Sequence, residues 1–383
     1  MHKRLGLSPI SKKPAGKAKN SSTHSGPSVS ETGDVLIAGA GPAGSVAAYR
    51  LARAGARVSM LDGLNPGPAR IGEVLPGAAC RLLAVLGLES VLQPGGNAVL
   101  DRAGGRIFAW GSELPIREDA LNDPYGPGLR LDRWRFDQAL RRKAIEAGAE
   151  FRRANVVSIE RANGGWCCTL SDGVQIAAHW LIDATGRSAR IGQLLGARRH
   201  RGPALVALYA TAVPLSNADV DRTVVEALPS GWAYAGRLGG RSFAVGFHTS
   251  PREAAVIRRM PQRYDEIIHA APMLAAMFSS FEFDGKLIAR DARSAWMEPL
   301  RGASWISCGD AALAFDPLAG QGLFNAIRTG MAAADEISSN IDEATGYENE
   351  LERVSMIYRE RRHALYRAEM RWTDHPFWRA HQS

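Results

Sequence analysis

The stretch Asp34–Asp62, DVLIAGAGPAGSVAAYRLARAGARVSMLD, decides the fold. Asp34 to Ala38 reads as a short buried strand. Gly39-Ala40-Gly41-Pro42-Ala43-Gly44 follows in G-x-G-x-x-G spacing. Ser45 to Ala54 is an alanine-rich helix, and Ala56 to Leu61 is a second strand closed by Asp62. Each glycine has a reason in a dinucleotide-binding turn. Gly39 makes the tight turn, Gly41 lets backbone approach a pyrophosphate with Pro42 and Ala43 beside it, and Gly44 packs helix on strand. The helix N-terminus offers unpaired N–H groups and a positive dipole end to phosphates. Asp62 stands where an acid binds a ribose hydroxyl. A glycine triplet alone is a weak signal; both flanking strands and the terminal acid make it a strong one.

The rest of the chain sets bounds. Its 383 residues have room for about two domains. The formal net charge is +8, but residues 1–33 hold six Lys and Arg against one acid, so five of the eight charges lie there. The remainder is only mildly basic, and no basic stripe interleaved with aromatics points to nucleic acid. Residues 1–33 are rich in Ser, Lys, Pro and Gly and are expected to be a disordered tail. Cys80, Cys167, Cys168 and Cys308 form no C-x-x-C and no zinc spacing, so no metal is expected, and the cysteines suit a reducing, cytoplasmic setting. No apolar run reaches membrane-spanning length.

Two later segments repeat the ending of the first strand. Leu181-Ile182-Asp183-Ala184-Thr185-Gly186-Arg187 and Trp305-Ile306-Ser307-Cys308-Gly309-Asp310 each run from apolar strand through an acid into a small-residue turn. That ending suits strands converging on one ligand at a sheet's carboxyl edge. Asp310 is placed to accept hydrogen bonds from a polyol. Asp316-Pro317-Leu318-Ala319-Gly320-Gln321-Gly322 then opens a helix whose N-terminus favours nearby negative charge. The expected fold is α/β: a Rossmann-like nucleotide domain from discontinuous segments 34–100, 128–195 and 298–340, with an inserted antiparallel β-sheet for substrate (101–127 and 196–297) and a C-terminal helical region, 341–383. Val99 to Trp110 alternates like strands around a Gly104-Gly105 turn. Asp132 is expected to cap a helix with Asp137, Arg141 and Arg142 on its wet faces.

GAGPAG, DATGRSAR and CGDAALAFDPLAGQG, in that order, resemble FAD-dependent monooxygenases of the p-hydroxybenzoate hydroxylase fold. That superfamily also holds flavin-dependent halogenases and geranylgeranyl reductases. RIGEVLPG, LRLDRWRFD, SGWAYAGRL and HPFWR narrow the resemblance to LodB-like, GoxB-like and QhpG-like flavoproteins, which modify a partner protein's tryptophan during quinone cofactor maturation. The resemblance implies Gly39, Gly41 and Gly44 on the FAD pyrophosphate, Asp62 on the adenosine ribose, and Asp310, after Gly309, on the ribityl chain. It implies Pro317, Gly320, Gln321 and Gly322 beside the isoalloxazine. Arg133 matches an arginine that touches FAD, Asp183 and Gly186 match the family's D-G motif, and Arg70 and Glu73 match the loop before a helix. Asp62 replaces the commoner Glu, and Gly-Glu-Val replaces Gly-Glu-Ser.

The implied activity is hydroxylation of an electron-rich aromatic, free or a protein-borne tryptophan, through a flavin C4a-hydroperoxide. O2 is the co-substrate, and NAD(P)H or a separate flavin reductase is the electron source. Tryptophan halogenases carry a lysine beyond the G-E motif and a W-x-W-x-I-P segment. Here no lysine occurs between Lys19 and Lys143, and the aromatic stretch is Trp232-Ala233-Tyr234-Ala235-Gly236. Trp232, Tyr234 and His248 are candidates for a substrate cavity on the inserted sheet, against the commoner role of such residues in packing. Two other readings stay open: a flavin reductase of a double bond, and a flavin-holding maturation partner without turnover.

Overall fold

The computed structural model describes residues 31–63, 74–93, 98–162, 164–214, 221–277, 281–339 and 346–383. Residues 1–30, Arg70 and Glu73 lie outside them.

The chain is a mixed α/β molecule with two eight-stranded sheets. In the first sheet, strand Glu31–Ala38 lies between Val58–Leu61 and Gln175–Asp183 and is parallel to both. Glu150–Arg152 extends one side in parallel, and Trp305–Ser307 pairs in parallel with the far end of Gln175–Asp183. Parallel strands buried on both faces read as continuous apolar runs, which Val35, Leu36, Ile37, Leu181, Ile182 and Ile306 supply. Helices Pro42–Arg53, Arg133–Glu146 and Gly322–Ser338 cover one face, with Val46, Leu51, Phe136 and Ile327 in the shared core. A Cβ on Gly330 would fall 2.3 Å from the Ala43 carbonyl, so this glycine sets how closely the last of these helices approaches the first.

The second sheet is antiparallel except where Thr223–Leu228 meets Gly105–Ala109. Side chains alternate between its faces. Leu208, Val224, Ala233, Val245 and Phe247 pack under the helices Pro251–Arg259 and Gln262–His269. Tyr209, Val225, Trp232 and Tyr234 take the opposite face, against Trp110, Tyr366, Phe377 and Trp378. The C-terminal helices Gly346–Arg367 and Pro376–Gln382 bring the last three of these aromatics.

Two local expectations need correction. The strands on either side of Gly104-Gly105 do not form a hairpin. Val99–Arg102 pairs with Leu129–Leu131 in a small sheet, while Gly105–Ala109 joins the large antiparallel one. The two glycines carry the chain between sheets: Gly105 has φ +122°, and a Cβ there would meet the Glu118 carbonyl at 2.1 Å. Asp132 does cap its helix, accepting from the Arg135 N–H, but Asp137 is buried rather than wet. Its carboxylate faces Arg133 at 3.4 Å one helical turn earlier.

Candidate functional site

The parallel strands of the first sheet all end at one opening. Ala38, Leu61, Asp62, Ala184, Cys308 and Gly309 form its floor, and the cavity beyond has a volume of about 2370 Å³. Ligand pockets usually span about 300–1,000 Å³, so there is room for a dinucleotide and a second molecule.

The glycines at the entrance divide their work as the turn requires. Gly39 has φ +106°, and a Cβ on it would lie 2.1 Å from the Ala184 carbonyl. A Cβ on Gly44 would lie 1.9 Å from the Gly39 carbonyl, so helix and strand touch here through bare backbone. Gly41 differs. It N-caps the helix with φ −76°, Pro42 follows at the first helical position, and no atom comes within 4 Å of where its Cβ would be. This open space faces the cavity and lies at the positive end of a helix, which fits a pyrophosphate.

Asp310 lies opposite. Its carboxylate is a third exposed, into the cavity, with Arg187 Nε at 3.5 Å. Desolvation raises its pKa, opposed by the charges of Arg187, Arg199 and Arg133. Arg199 donates to the backbone carbonyls of Asp310 (2.7 Å) and Ala311 (2.5 Å), fixing the turn while its charge favours the ionised acid. Arg187 also donates to the carbonyls of Arg293 and Phe315, both at 2.7 Å, and so ties three segments together at the cavity edge.

Asp183 does not reach the cavity. Its buried carboxylate accepts from the Thr185 N–H (3.1 Å), the Thr185 hydroxyl (2.6 Å) and the Gly192 N–H (2.8 Å). It therefore clamps the turn that presents Gly186 to the cavity. Asp316 is likewise buried. It accepts from the Leu318 N–H at 3.0 Å and the Tyr366 hydroxyl at 2.8 Å, with Arg362 Nε at 3.3 Å; the Asp316 N–H itself donates to the Tyr358 hydroxyl at 2.7 Å. Three residues of one late helix thus hold the Pro317–Gly322 segment at the cavity wall.

On the antiparallel sheet, Tyr209, Tyr234 and His248 line the cavity. His248 Nε2 lies 2.8 Å from the Tyr209 hydroxyl, and burial pushes the imidazole pKa down to about 3, so the ring is neutral. Trp232 needs correction: it is not in the wall. It lies one layer behind, stacked on His248 at 3.5 Å, with its Nε1 donating to the Tyr366 hydroxyl at 3.2 Å. Strand alternation aims it and Tyr234 at one face, but the C-terminal helix covers its end of the strand.

Of the expected site residues, Gly39, Gly41, Pro42, Ala43, Asp62, Arg133, Gly186, Gly309, Asp310, Pro317, Gly320, Gln321, Gly322, Tyr234 and His248 line the cavity. Gly44, Asp183 and Trp232 support it from behind. The structure adds Arg187, Arg199, Tyr358, Arg362 and Tyr366 to the site. Arg187 stands inside DATGRSAR and carried a readable signal; the others act from segments distant in sequence. Among the described residues, no cluster of His, Cys, Asp and Glu suits a metal ion, and no helix is long and apolar enough to cross a membrane.

The FAD binding domain family model matches residues 32–373. The chain is 25% identical over 360 residues to the putative FAD-dependent oxidoreductase LodB of Marinomonas mediterranea, covering 91% of this chain and 96% of that protein. It is 28% identical over 333 residues to the menaquinone reductase of Mycobacterium tuberculosis, covering 82% and 78%. Among solved structures it is similar in fold to the flavin-dependent halogenase CmlS (TM-score 0.80, 22% identity, 92% of this chain and 68% of that one). It is similar as well to the peptidyl tryptophan dihydroxylase QhpG, which is essential for tryptophylquinone cofactor biogenesis (TM-score 0.73, 24% identity, 92% and 79%). A glycine cradle of this geometry within a family match of this extent makes the chain a member of the FAD binding domain family and an FAD-dependent oxidoreductase.

Proposed function

We propose that the protein is an FAD-dependent monooxygenase that hydroxylates an electron-rich aromatic ring, with a tryptophan side chain of a partner protein as the leading substrate. The observation that carries this reading is the continuity of one cavity from the Gly41 cradle to the Tyr234 and His248 face of the second sheet. Bound FAD supplies the electron-transfer and oxygen-activation chemistry, with O2 as co-substrate and NAD(P)H or a separate reductase as donor.

The chain's own groups bind and orient. The first helix's N-terminus and Gly41 hold the pyrophosphate, and Asp62 the adenosine ribose. Asp310, steadied by Arg187, would accept hydrogen bonds from the ribityl hydroxyls. The Pro317–Gly322 turn presents backbone and a helix N-terminus to the flavin ring, favouring negative charge there. The neutral Tyr209–His248 pair sets a hydrogen-bonding edge beside Tyr234, Ala207 and Ala292, which suits an indole or phenol. The QhpG likeness supports a peptidyl tryptophan as the ring.

The test is incubation of FAD-loaded protein with a reductant, 18O2 and aromatic candidates, free and within peptides. Incorporation of 18O into the ring is the expected result. The 28% identity to a menaquinone reductase favours a second reading, reduction of a double bond. Reoxidation of the flavin by an isoprenoid quinone under anaerobic conditions, with a saturated product, would establish that reading instead.

A further inference from the structure

The HPFWR segment, His375–Arg379, has no part in the cavity, yet it anchors an unbroken line of aromatic rings. The line starts at His248 in the cavity wall, stacked on Trp232 at 3.5 Å and 3°. Trp232 donates its indole N–H to Tyr366. Tyr366 meets Trp110 edge-on at 5.8 Å, Trp110 meets Trp378 at 5.3 Å, and Trp378 meets Trp372 at 6.2 Å. Trp232, Tyr366 and Trp378 are fully buried, whereas Trp372 reaches solvent with the Arg371 guanidinium over its ring at 4.2 Å. That cation is itself balanced by Glu369 at 2.6 Å.

We propose that Trp232, Tyr366, Trp110, Trp378 and Trp372 form a redox relay that delivers an electron from the protein surface to the cavity wall, quenching one-electron oxidants born at the site. Indole and phenol are among the most easily oxidised uncharged side chains, and the close spacing of successive rings makes stepwise transfer fast. The hydrogen bonds divide the proton work. Trp110 and Trp378 donate to the Leu365 and Leu228 carbonyls at 2.8 and 3.0 Å. A carbonyl does not take the proton, so these indoles pass charge as radical cations. Tyr366 donates to the Asp316 carboxylate at 2.8 Å, which can take one. The Arg362 guanidinium over the Tyr366 ring at 4.4 Å disfavours a phenol cation and so couples electron loss to that transfer.

The steps balance. A hydroxyl-class radical in the cavity gains one electron, and a proton from cavity water, and becomes water. Trp232 gives the electron and is refilled by Tyr366, whose phenolic proton moves to Asp316. The electron reaching Tyr366 through Trp110, Trp378 and Trp372 brings that proton back. A soluble thiol reduces Trp372, releasing its proton and leaving a thiyl radical. Close packing of aromatics for stability alone would show the same contacts but no such transfer.

The inference rests on the FAD reading, and its test separates the two. The full chain is loaded with FAD and excited with a blue flash, which makes the flavin a one-electron oxidant. Long-lived tryptophan and tyrosyl radical signals are expected, and illumination under O2 should oxidise Trp372 in a peptide map. Trp378→Phe keeps a ring in place but should abolish the long-lived signal and the Trp372 oxidation, moving damage to Trp232. Trp372→Phe, at a half-buried position where a ring still packs, should shorten the radical lifetime and remove its dependence on added thiol. Unchanged radical lifetimes and unchanged oxidation sites in Trp372→Phe and Trp378→Phe overturn the relay. Failure to bind FAD at all overturns the functional reading instead.

Discussion

Gly41→Ala and Gly44→Ala add the same methyl three residues apart, and the structure assigns them opposite consequences. At Gly41 the methyl meets no protein atom within 4 Å, and the backbone, at φ −76°, accepts any L-residue. Alanine is a poorer N-cap than glycine by up to about 1 kcal/mol, while the stiffer unfolded chain returns about 0.4–1 kcal/mol, so stability stays near wild type. The methyl instead fills the space facing the cavity. Pushing a phosphate off the helix N-terminus forfeits at least one charge-assisted hydrogen bond, about 1.5–3 kcal/mol, which weakens FAD about ten- to a hundred-fold. At Gly44 the methyl would sit 1.9 Å from the Gly39 carbonyl, and neither strand end nor helix can give cheaply. Overpacking of this kind costs about 1–3 kcal/mol, lowering Tm by roughly 1–4 °C in a chain of this length. The assay is FAD titration of both apoproteins beside their thermal melts. Wild-type FAD affinity in Gly41→Ala, or an unshifted Tm in Gly44→Ala, would refute the division of labour argued for the turn.

Asp310→Ala should weaken FAD about ten- to a hundred-fold in titration while leaving the circular dichroism unchanged, and Asp310→Asn should fall between, since it keeps the shape and loses the charge. Arg362→Ala leaves the buried Asp316 carboxylate without its cation, so a loss of about 3–5 kcal/mol is expected in denaturant unfolding; an unchanged midpoint would show that the two do not pair. Burial pushes the pKa of His248 and His381 down to about 3, whereas the unfolded chain protonates them near 6.5. The unfolded state therefore binds more protons below about pH 6.5, and stability should fall by about 1.4 kcal/mol per pH unit for each histidine; His248→Gln should flatten the fall of Tm between pH 7 and 5. With no lysine between Lys19 and Lys143, bromide supplied with O2 and reduced flavin should give no brominated aromatic by mass spectrometry.

The sequence is legible where local chemistry dictates local residues. The phosphate turn needs its glycines in one hexapeptide, and the strand-acid-turn endings at Asp183 and Asp310 sit wholly within their own segments. Residues that act across distance were not readable. Tyr366 meets Asp316 from 50 residues away, and nothing in a helix of charged residues marks which tyrosine turns inward. Trp232 follows strand alternation as expected, yet the C-terminal helix that covers it is a tertiary fact. The same holds for Asp137, which an amphipathic count puts in water and Arg133 draws inside. At Gly104-Gly105 a turn signal was correct, but a turn does not say whether the next strand pairs with the last one or leaves for another sheet.

The grip of Tyr358, Arg362 and Tyr366 on the Asp316 turn has a bearing on how the molecule comes to exist in a cell. Arg362 is braced in turn by His381 at 2.6 Å, and Gln382 ties down the Tyr366 carbonyl at 3.0 Å. These groups leave the ribosome after every segment of the cradle. A nascent chain thus displays the phosphate turn long before it can immobilise the segment beside the flavin ring, and cofactor capture becomes a late event in biosynthesis. Chains that stall or are clipped before residue 358 lack all three side chains that fix the Asp316 turn.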